Sequence, residues 1–167
     1  MIDPTLFLEF LKNRRTIRNF KEKKVSDKEI EMILEAGRWA PSASNRQPWE
    51  FIVIKNEEKK QELAKLARNG KFIGDAPIVI AIIGKIKQNP RWYVQDTSLV
   101  SMNMMLMAWA LGIGTCWIGT MDRAKAKEIL ELGENDFVLT VLPMGYIKGE
   151  IPESTYRKGL DKIVKEV

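Results

Sequence analysis

The sequence predicts a single α+β domain built around one sheet. The chain has 167 residues, the usual length of one domain, and its 45% hydrophobic and 29% charged residues are typical of a protein that buries a core. Apolar residues at helical spacing alternate along it with short, wholly apolar runs that are typical of buried strands. No repeat, linker or low-complexity stretch divides the chain, so residues 1–167 are interpreted as one unit.

Two helices are predicted before the first strand. Asp3 and Pro4 form a cap and first-turn pair that begins a short amphipathic helix running into Arg14. Residues 26–29, Ser-Asp-Lys-Glu, have the pattern of a capping box, and the second helix continues until Pro41 ends it. Alternating strands and helices would ordinarily favour a doubly wound parallel sheet, but two helices at the start and an unpartnered tail favour α+β.

The remaining elements follow from apolar runs and caps. They are a strand at Phe51–Ile54, a helix over Glu57–Asn69 closed by Gly70, a strand at Ile78–Ile83, a buried helix from about Asp96 to Leu111, a strand at Thr115–Ile118, a helix from the Asp122 cap to about Leu132, and a strand at Phe137–Leu142. The basic tail, Gly145–Val167, has little core pattern. We expect it to pack on something outside its own chain, such as a second subunit.

The stretch Thr97–Met121 carries no charge and is long enough to cross a bilayer. Three glycines and six polar residues interrupt it, and Gly112 stands where a helix ending at Leu111 would stop. It is therefore interpreted as a buried helix followed by a strand, with no membrane span. Core packing is the expected role of Met102, Met104, Met105, Met107, Trp39 and Trp49.

Composition excludes several chemistries. The chain has no histidine and one cysteine, Cys116, which is expected to be buried and inert. This excludes Ser/His/Asp and Cys/His catalysis, HExxH zinc sites, CxxC redox pairs and intrachain disulfides, and no metal site is expected. Residues 1–15 lack the order of a signal peptide, and a lone cysteine fits a reducing compartment; a cytoplasmic protein is expected.

The charge balance favours an anionic partner. There are 27 Lys and Arg residues against 22 Asp and Glu, a formal net charge of +5. No RNP motif, zinc finger or basic region with heptads is present, so nucleic acid is not expected; a strongly salt-dependent affinity for DNA or RNA would be needed to support it. Gly112–Trp117 fails as a dinucleotide fingerprint because Trp117 replaces the third glycine, and the chain has no GxxxxGK[ST] loop.

Two segments concentrate groups able to bind a small ligand. Arg14, Arg15, Thr16 and Arg18 follow the first helix, and arginine forks pair bidentately with phosphate, although a solvated helix end would also explain them. The loop Ala40–Trp49 is rich in proline, serine and amide side chains. Such a rigid polar loop can line a flat heteroaromatic ligand, although ordinary turn chemistry explains most of its residues.

The sequence resembles the nitroreductase family of FMN-dependent oxidoreductases over nearly its whole length. Four motifs in order carry the resemblance: RRTIRNF at Arg14–Phe20, EAGRWAPSASNRQPWEFIVI at Glu35–Ile54, ALGIGTCWIG at Ala110–Gly119, and the closing GY and YRKGL. The resemblance implies a central mixed, mostly antiparallel sheet flanked by helices. It also implies an intertwined homodimer with two FMN sites at the interface, each built from both chains.

The resemblance further implies which residues bind FMN. The phosphate would be bound by Arg14, Arg15 and Thr16, and Arg18 would reach N1 and O2 of the ring. The other implied contacts are the loop Pro41, Ser42, Ala43, Ser44, Asn45 and Gln47, reaching flavin bound mainly by the other subunit; Asn69 at the pyrimidine edge; the backbone of Ile118, Gly119 and Thr120 near N5; and Arg157 with Lys158 at the phosphate. Relatives often carry a basic residue after the asparagine, where this chain has Phe72, with Lys71 as a substitute.

The implied reaction is ping-pong: NADH or NADPH delivers hydride to flavin N5 and leaves, and an electron-poor acceptor such as a nitroaromatic or quinone then takes it. Because the cofactor carries the chemistry, the absence of histidine is no obstacle. The segment between Gly84 and Asp96 is shorter than in longer relatives, which implies an open site near Arg91, Trp92 and Tyr93. The alternatives are a non-catalytic FMN carrier or sensor, and a relative that performs reductive dehalogenation.

Overall fold

The fold is a four-stranded sheet with helices on both faces. A computed structural model describes residues 2–167. Its strands are β1 (Trp49–Ile54), β2 (Ile78–Lys85), β3 (Ile113–Thr115) and β4 (Asp136–Tyr146), and its helices are α1 (Pro4–Asn13), α2 (Asp27–Arg38), α3 (Glu57–Lys65), α4 (Lys71–Gly74), α5 (Tyr93–Ala110) and α6 (Arg123–Ile129). The strand order is β1-β2-β4-β3, and each neighbouring pair is antiparallel. The predicted α+β class and the mostly antiparallel sheet are confirmed.

The central strand β2 is buried on both faces because its side chains alternate between two apolar clusters. Ile80 and Ile82 pack with residues of α2 and α5, whereas Val79 and Ala81 pack with residues of α3, α4 and α6. The sheet therefore separates two helical layers. A strand covered on both sides is continuously apolar, which is why its sequence pattern predicted it.

The long helix α5 packs closely on α2. A Cβ at Gly37 would lie 2.5 Å from the terminal carbon of Met104, so a larger residue there would require the Met104 side chain to shift. The prediction that the methionines of α5 fill the core is confirmed for Met104 and Met105, and Met107 packs against the same cluster. It is wrong for Met102, which lies on the outer face and is 43% exposed.

The two tryptophans expected in the core, Trp39 and Trp49, differ in how far they are buried. Trp49 is half-buried and packs against the cluster shared by α2 and α5. Trp39 is 73% exposed, and its indole donates a hydrogen bond to the Glu35 carboxylate at 2.7 Å. The prediction for Trp39 is wrong because the buried stripe of α2 runs through Ile33 and Gly37, and Trp39 does not lie on it.

The helix predicted over Glu57–Asn69 is four residues shorter than expected. It ends at Lys65, where the Leu66 amide bonds only three residues back, and Asn69 then takes a left-handed φ of 58°. The short helix α4 follows. Four residues are too few to produce a helical period in the sequence, so α4 was not predicted.

The strand predicted at Thr115–Ile118 lies earlier, at Ile113–Thr115. Gly112, with a φ of 72°, lets the chain turn directly after α5 and begin pairing with β4 at once. Beyond Thr115 the chain leaves the ladder, and the Ile118 amide instead donates to the Thr140 hydroxyl at 3.1 Å. The shift leaves residues 116–120 outside the sheet.

Other boundaries differ by a few residues. β1 begins at Trp49, α5 begins at Tyr93, and α6 ends before Leu132 because Glu131 has a φ of 57°. β4 continues to Tyr146, so the start of the expected tail belongs to the sheet. Residues 151–167 are all exposed and carry little regular structure, as the weak core pattern predicted.

None of the helices within residues 2–167 is long and apolar enough to cross a membrane. The uncharged stretch is a buried helix followed by a strand.

Candidate cofactor site

Three segments meet beside β3 and form a cleft. The segment after α1 runs alongside β3, where the Ile17 amide donates to the Thr115 carbonyl at 2.9 Å. Gly114 permits this approach, since a Cβ there would lie 2.5 Å from Ile17 Cβ. On the other side, residues 66–69 are held against residues 121–122 by the Asp122 amide, which donates to the Leu66 carbonyl at 3.1 Å.

The cleft has a volume of about 510 Å³. Its lining residues are Arg18, Ala67, Arg68, Asn69, Phe72, Cys116, Trp117, Ile118, Gly119 and Thr120. Two guanidinium groups and no carboxylate are among them, so the lining is cationic. The structure thus brings together five of the predicted site residues: Arg18, Asn69, Ile118, Gly119 and Thr120.

Arg14 lies in a crowded group of cations next to this cleft. It is half-buried, and the pKa of its guanidinium is lowered by burial and then by the charges of Arg157 and Arg15. Within residues 2–167, no carboxylate lies within 4 Å of Arg14, Arg15, Arg18 or Arg157. Like charges held together without a counter-ion are suited to binding an anion.

Arg15 holds the end of α1 and the tail. Its guanidinium donates to the carbonyls of Lys12 at 2.6 Å and Arg14 at 3.1 Å, and to the carbonyl of Pro152 at 3.1 Å. The tail is thereby brought back to the start of the chain, which is how Arg157 comes to influence Arg14. Lys158 is exposed in the same tail segment.

Cys116 lies beside both Arg14 and Arg18. Burial raises the pKa of its thiol, and the two nearby cations oppose this effect only in part. The thiol therefore remains protonated near neutral pH, and the expected burial of Cys116 is confirmed. Arg18 also lies over the ring of Phe72, with its guanidinium carbon 5.8 Å from the ring centre.

The backbone amides of residues 118–120 differ in whether they are engaged within the chain. The Ile118 amide is already bound to Thr140, so it is engaged within the chain. The amides of Gly119 and Thr120 have no hydrogen-bond partner among residues 2–167, and both residues are exposed in the cleft wall. Lys71, the expected substitute for a basic residue, is exposed and is not part of the lining, whereas Phe72 is.

The loop at residues 41–47 does not line this cleft in its own chain. Ser44, Asn45 and Gln47 all have positive φ, between 49° and 53°, which non-glycine residues adopt rarely and mostly at functional sites. The loop is held by the Ala43 amide, which donates to the buried Asp96 carboxylate at 3.0 Å. The structure therefore separates the predicted loop residues from the cationic cluster of the same chain.

Asp96 and Arg68 are the site features that sequence reasoning missed. Asp96 also accepts a hydrogen bond from the buried Asn89 side chain at 2.8 Å. The feature of the sequence that could have identified Asp96 is that it is a single carboxylate directly before a long uncharged stretch. For Arg68, the feature of the sequence was its position next to Asn69.

The residues expected near an open site do not line the cleft. Tyr93 packs edge-on against Phe137 with ring centres 5.4 Å apart, and neither it nor Arg91 nor Trp92 lines the cleft.

A second, larger groove lies between α1, α2 and α5. Its volume is about 940 Å³, and its lining is predominantly apolar. The apolar side chains include Leu6, Phe7, Phe10, Trp39 and Leu106. No residue of α1 is buried by the chain itself, so this apolar surface lacks a cover among residues 2–167.

Comparisons with known proteins agree on one family. The model of the nitroreductase family matches residues 11–71 and 65–146. A protein of Archaeoglobus fulgidus with the provisional name NADH dehydrogenase/NAD(P)H nitroreductase is 36% identical over 168 aligned residues, covering 95% of this chain and 97% of that one. An FMN-dependent nitroreductase from Clostridium difficile R20291 is 30% identical with a TM-score of 0.82, covering 90% and 91%. A nitroreductase family protein from Clostridium difficile 630 is 33% identical with a TM-score of 0.85, covering 95% and 96%.

Proposed function

The chain belongs to the nitroreductase family, and from this premise we propose that it is an NAD(P)H-dependent oxidoreductase that binds FMN in the cleft beside β3. The observation that supports this most directly is the group of arginines gathered there without counter-ions. FMN, when bound, supplies the hydride exchange between the nicotinamide donor and an electron-poor acceptor. The chain has to bind, orient and electrostatically support it.

The residues present suit this cofactor. Arg14, Thr16 and Arg157 are proposed to bind the phosphate, with Arg15 and Lys158 adding charge, because a phosphate monoester carries close to two negative charges at neutral pH. In the cleft itself, Arg18 and Asn69 are proposed to contact the N1 and O2 side of the ring. A cation there favours the reduced ring, which gains negative charge.

The chain contributes binding rather than acid–base chemistry. The lining includes no carboxylate and no histidine, and its one thiol is kept protonated by burial. The amides of Gly119 and Thr120 are the free backbone donors of this wall, and we assign to one of them the contact near N5. Because one cleft has to serve donor and acceptor in turn, the kinetics are expected to be ping-pong, with a nitroaromatic or quinone as acceptor.

A homodimer completes the site in this proposal. The apolar groove between α1, α2 and α5 supplies the contact surface, and exposed apolar residues of the tail, such as Tyr156 and Leu160, pack on the second subunit. The loop at residues 41–47, which does not reach the cleft of its own chain, is proposed to reach the flavin of the other subunit. Its strained backbone fits a segment whose geometry a ligand requires.

The test is an absorbance spectrum of the purified protein, repeated without oxygen after addition of NADH, then NADPH, then a nitroaromatic acceptor. A flavin spectrum that bleaches with a nicotinamide donor and returns with the acceptor supports the proposal. Bound flavin that no donor bleaches would favour the carrier or sensor alternative. A colourless protein that FMN cannot reconstitute would overturn the assignment of the cleft.

A further inference from the structure

Arg68 is a cation of the cleft wall that no contact in the chain explains. It is exposed, it lines the cleft together with Arg18 and Asn69, and it has no hydrogen-bond partner and no carboxylate within 4 Å among residues 2–167. Arg38, another exposed arginine, pairs by contrast with Glu35 at 2.6 Å. A solvated arginine on a convex surface would need no explanation, but this one faces a concave site without any acid.

The position of Arg68 is fixed by the backbone around it. Residues 66–69 are held against residues 121–122 by the Leu66 and Asp122 hydrogen bond, and the left-handed Asn69 then turns the chain into α4. Arg68 is thereby placed in the wall that also contains Gly119 and Thr120, the segment assigned to the reacting edge of the ring. In the proposed function, its charge therefore lies beside the segment at which a second substrate would meet the ring.

The cofactor does not require this additional cation. In the proposed function Arg14 and Arg157 bind the phosphate and Arg18 contacts the ring. No role in cofactor binding is then assigned to the guanidinium of Arg68. A guanidinium fork binds carboxylate and phosphate groups bidentately, and the low exposure of a filled cleft strengthens such pairs relative to the open surface.

We propose that Arg68 binds an anionic group on the molecule that exchanges electrons with the flavin, and so gives the site a preference for anionic second substrates. The anion has two possible sources, a carboxylate on the acceptor or a phosphate of the dinucleotide donor. This inference rests on the proposed function. It predicts an order of preference, anionic before neutral, that flavin chemistry alone does not impose.

Charge-neutralising variants of the flavin-loaded protein test this directly. Arg68→Gln keeps a polar side chain without the charge, and Lys65→Gln is the matched control, since Lys65 is an exposed cation one turn earlier that does not line the cleft. The first readout is binding: 4-nitrobenzoate and its neutral analogue 4-nitrobenzamide are titrated into the oxidised protein, and Kd is taken from the change in flavin absorbance. The second is rapid mixing of each half-reaction, with NADH, NADPH and both acceptors.

The expected result is selective. Arg68→Gln weakens binding of 4-nitrobenzoate about tenfold and leaves 4-nitrobenzamide within about twofold, while Lys65→Gln changes neither. A selective loss confined instead to the donor half-reaction also supports the proposal and identifies a donor phosphate as the anion. Equal losses for charged and neutral acceptors, or no loss in either half-reaction, overturn it. Failure of the proposed function is distinguishable, because the unmodified protein would then bind no flavin or would reduce neither acceptor.

Discussion

At the scale of single residues, the proposed phosphate site depends most on Arg14. Its guanidinium is half-buried and lies near two other arginines with no counter-ion, so a bound phosphate would gain a charge-assisted hydrogen bond from it. Arg14→Ala is expected to weaken FMN binding by about 1.5 to 3 kcal/mol, or roughly 10- to 150-fold in Kd. Quenching of FMN fluorescence on titration into apoprotein measures this.

The control for Arg14→Ala is Arg38→Ala. Arg38 is an exposed arginine that pairs with Glu35 and lies outside the cleft, so the same loss of charge should leave FMN affinity unchanged. An Arg14→Ala protein that binds FMN as tightly as the unmodified chain would contradict the phosphate assignment. Arg15→Ala should act mainly on stability, because its guanidinium is engaged by three backbone carbonyls.

At the scale of elements, the capping box of α2 is linked to β4. The Glu29 carboxylate accepts hydrogen bonds from the Ser26 amide at 2.8 Å and from the Tyr146 hydroxyl at 2.7 Å. Hydrogen bonds from the Ser26 side chain, Tyr146 and the Ser26 amide lower the pKa of Glu29. Glu29→Gln is expected to reduce the free energy of unfolding by about 1 kcal/mol at pH 7, the usual value of a cap.

The sign of the pH dependence follows from the lowered pKa of Glu29. Its stabilising contribution is complete above the pKa of the unfolded chain, near about 4.3, and is lost as the pH falls through the lower folded pKa. The difference between Glu29→Gln and the unmodified protein should therefore shrink below about pH 4, as measured by urea unfolding at several pH values. Glu22→Gln removes an exposed carboxylate without an ion pair and should show no such pH-dependent difference. If the free energies of unfolding of Glu29→Gln and the unmodified protein differed by the same amount at every pH, the linkage would be refuted.

The loop at residues 41–47 depends on Asp96 of α5. This buried carboxylate accepts from the Ala43 amide and the Asn89 side chain, so Asp96→Ala leaves two donors without their partner. The free energy of unfolding should fall by about 2 kcal/mol or more, and limited proteolysis should cut first within the loop. Asp96→Asn keeps an acceptor oxygen for Ala43 and should lose less. Cleavage elsewhere, with the loop intact, would show that Asp96 does not hold it.

Elements with their own local signals could be predicted from the sequence. The capping box at Ser26 and the apolar run of β2 need no distant partner, and both lie where they were expected. The anchoring of the loop could not be predicted, because Ala43 and Asp96 are far apart in the chain and only the folded sheet brings them together. The place of Arg68 in the site could not be predicted for the same reason: its only signal was its position next to Asn69, and its cleft exists only once residues 66–69 lie against residues 121–122.

The site residues also divide into those with a local signal in the sequence and those whose contacts depend on the folded chain. The motif at Arg14–Arg18 identified the cationic cluster, and Arg157, which the resemblance implied at the same phosphate, lies close enough to lower the pKa of Arg14. The hydrogen bond from the Ile118 amide to Thr140 could not be predicted from the sequence, because it depends on where β3 ends. β3 ends three residues earlier than predicted, at Thr115, because the left-handed φ of Gly112 lets the chain turn directly after α5 and begin the strand at once.

At the scale of the whole molecule, the chain leaves an apolar surface between α1, α2 and α5 uncovered among residues 2–167, which supports the proposed homodimer. Helix α1 buries no residue, and a ten-residue helix is not stable on its propensity alone. Leu6 is 70% exposed and lines the apolar groove, as do Trp39 and Phe7. The loop at residues 41–47 does not line the cleft of its own chain. If a second copy of the chain covered this groove, the loop of one copy would be brought toward the cleft of the other.

Disrupting that surface should therefore remove subunit contact and cofactor together. Leu6→Glu places a charge in the groove, so the protein is expected to sediment at the mass of one chain instead of two, and to lose FMN in proportion to the monomer fraction. Lys12→Gln, on the same helix but outside the groove lining, should preserve both. A monomeric Leu6→Glu protein that retained one tightly bound FMN per chain would show that the cleft beside β3 is complete in a single subunit, and that the loop serves another purpose.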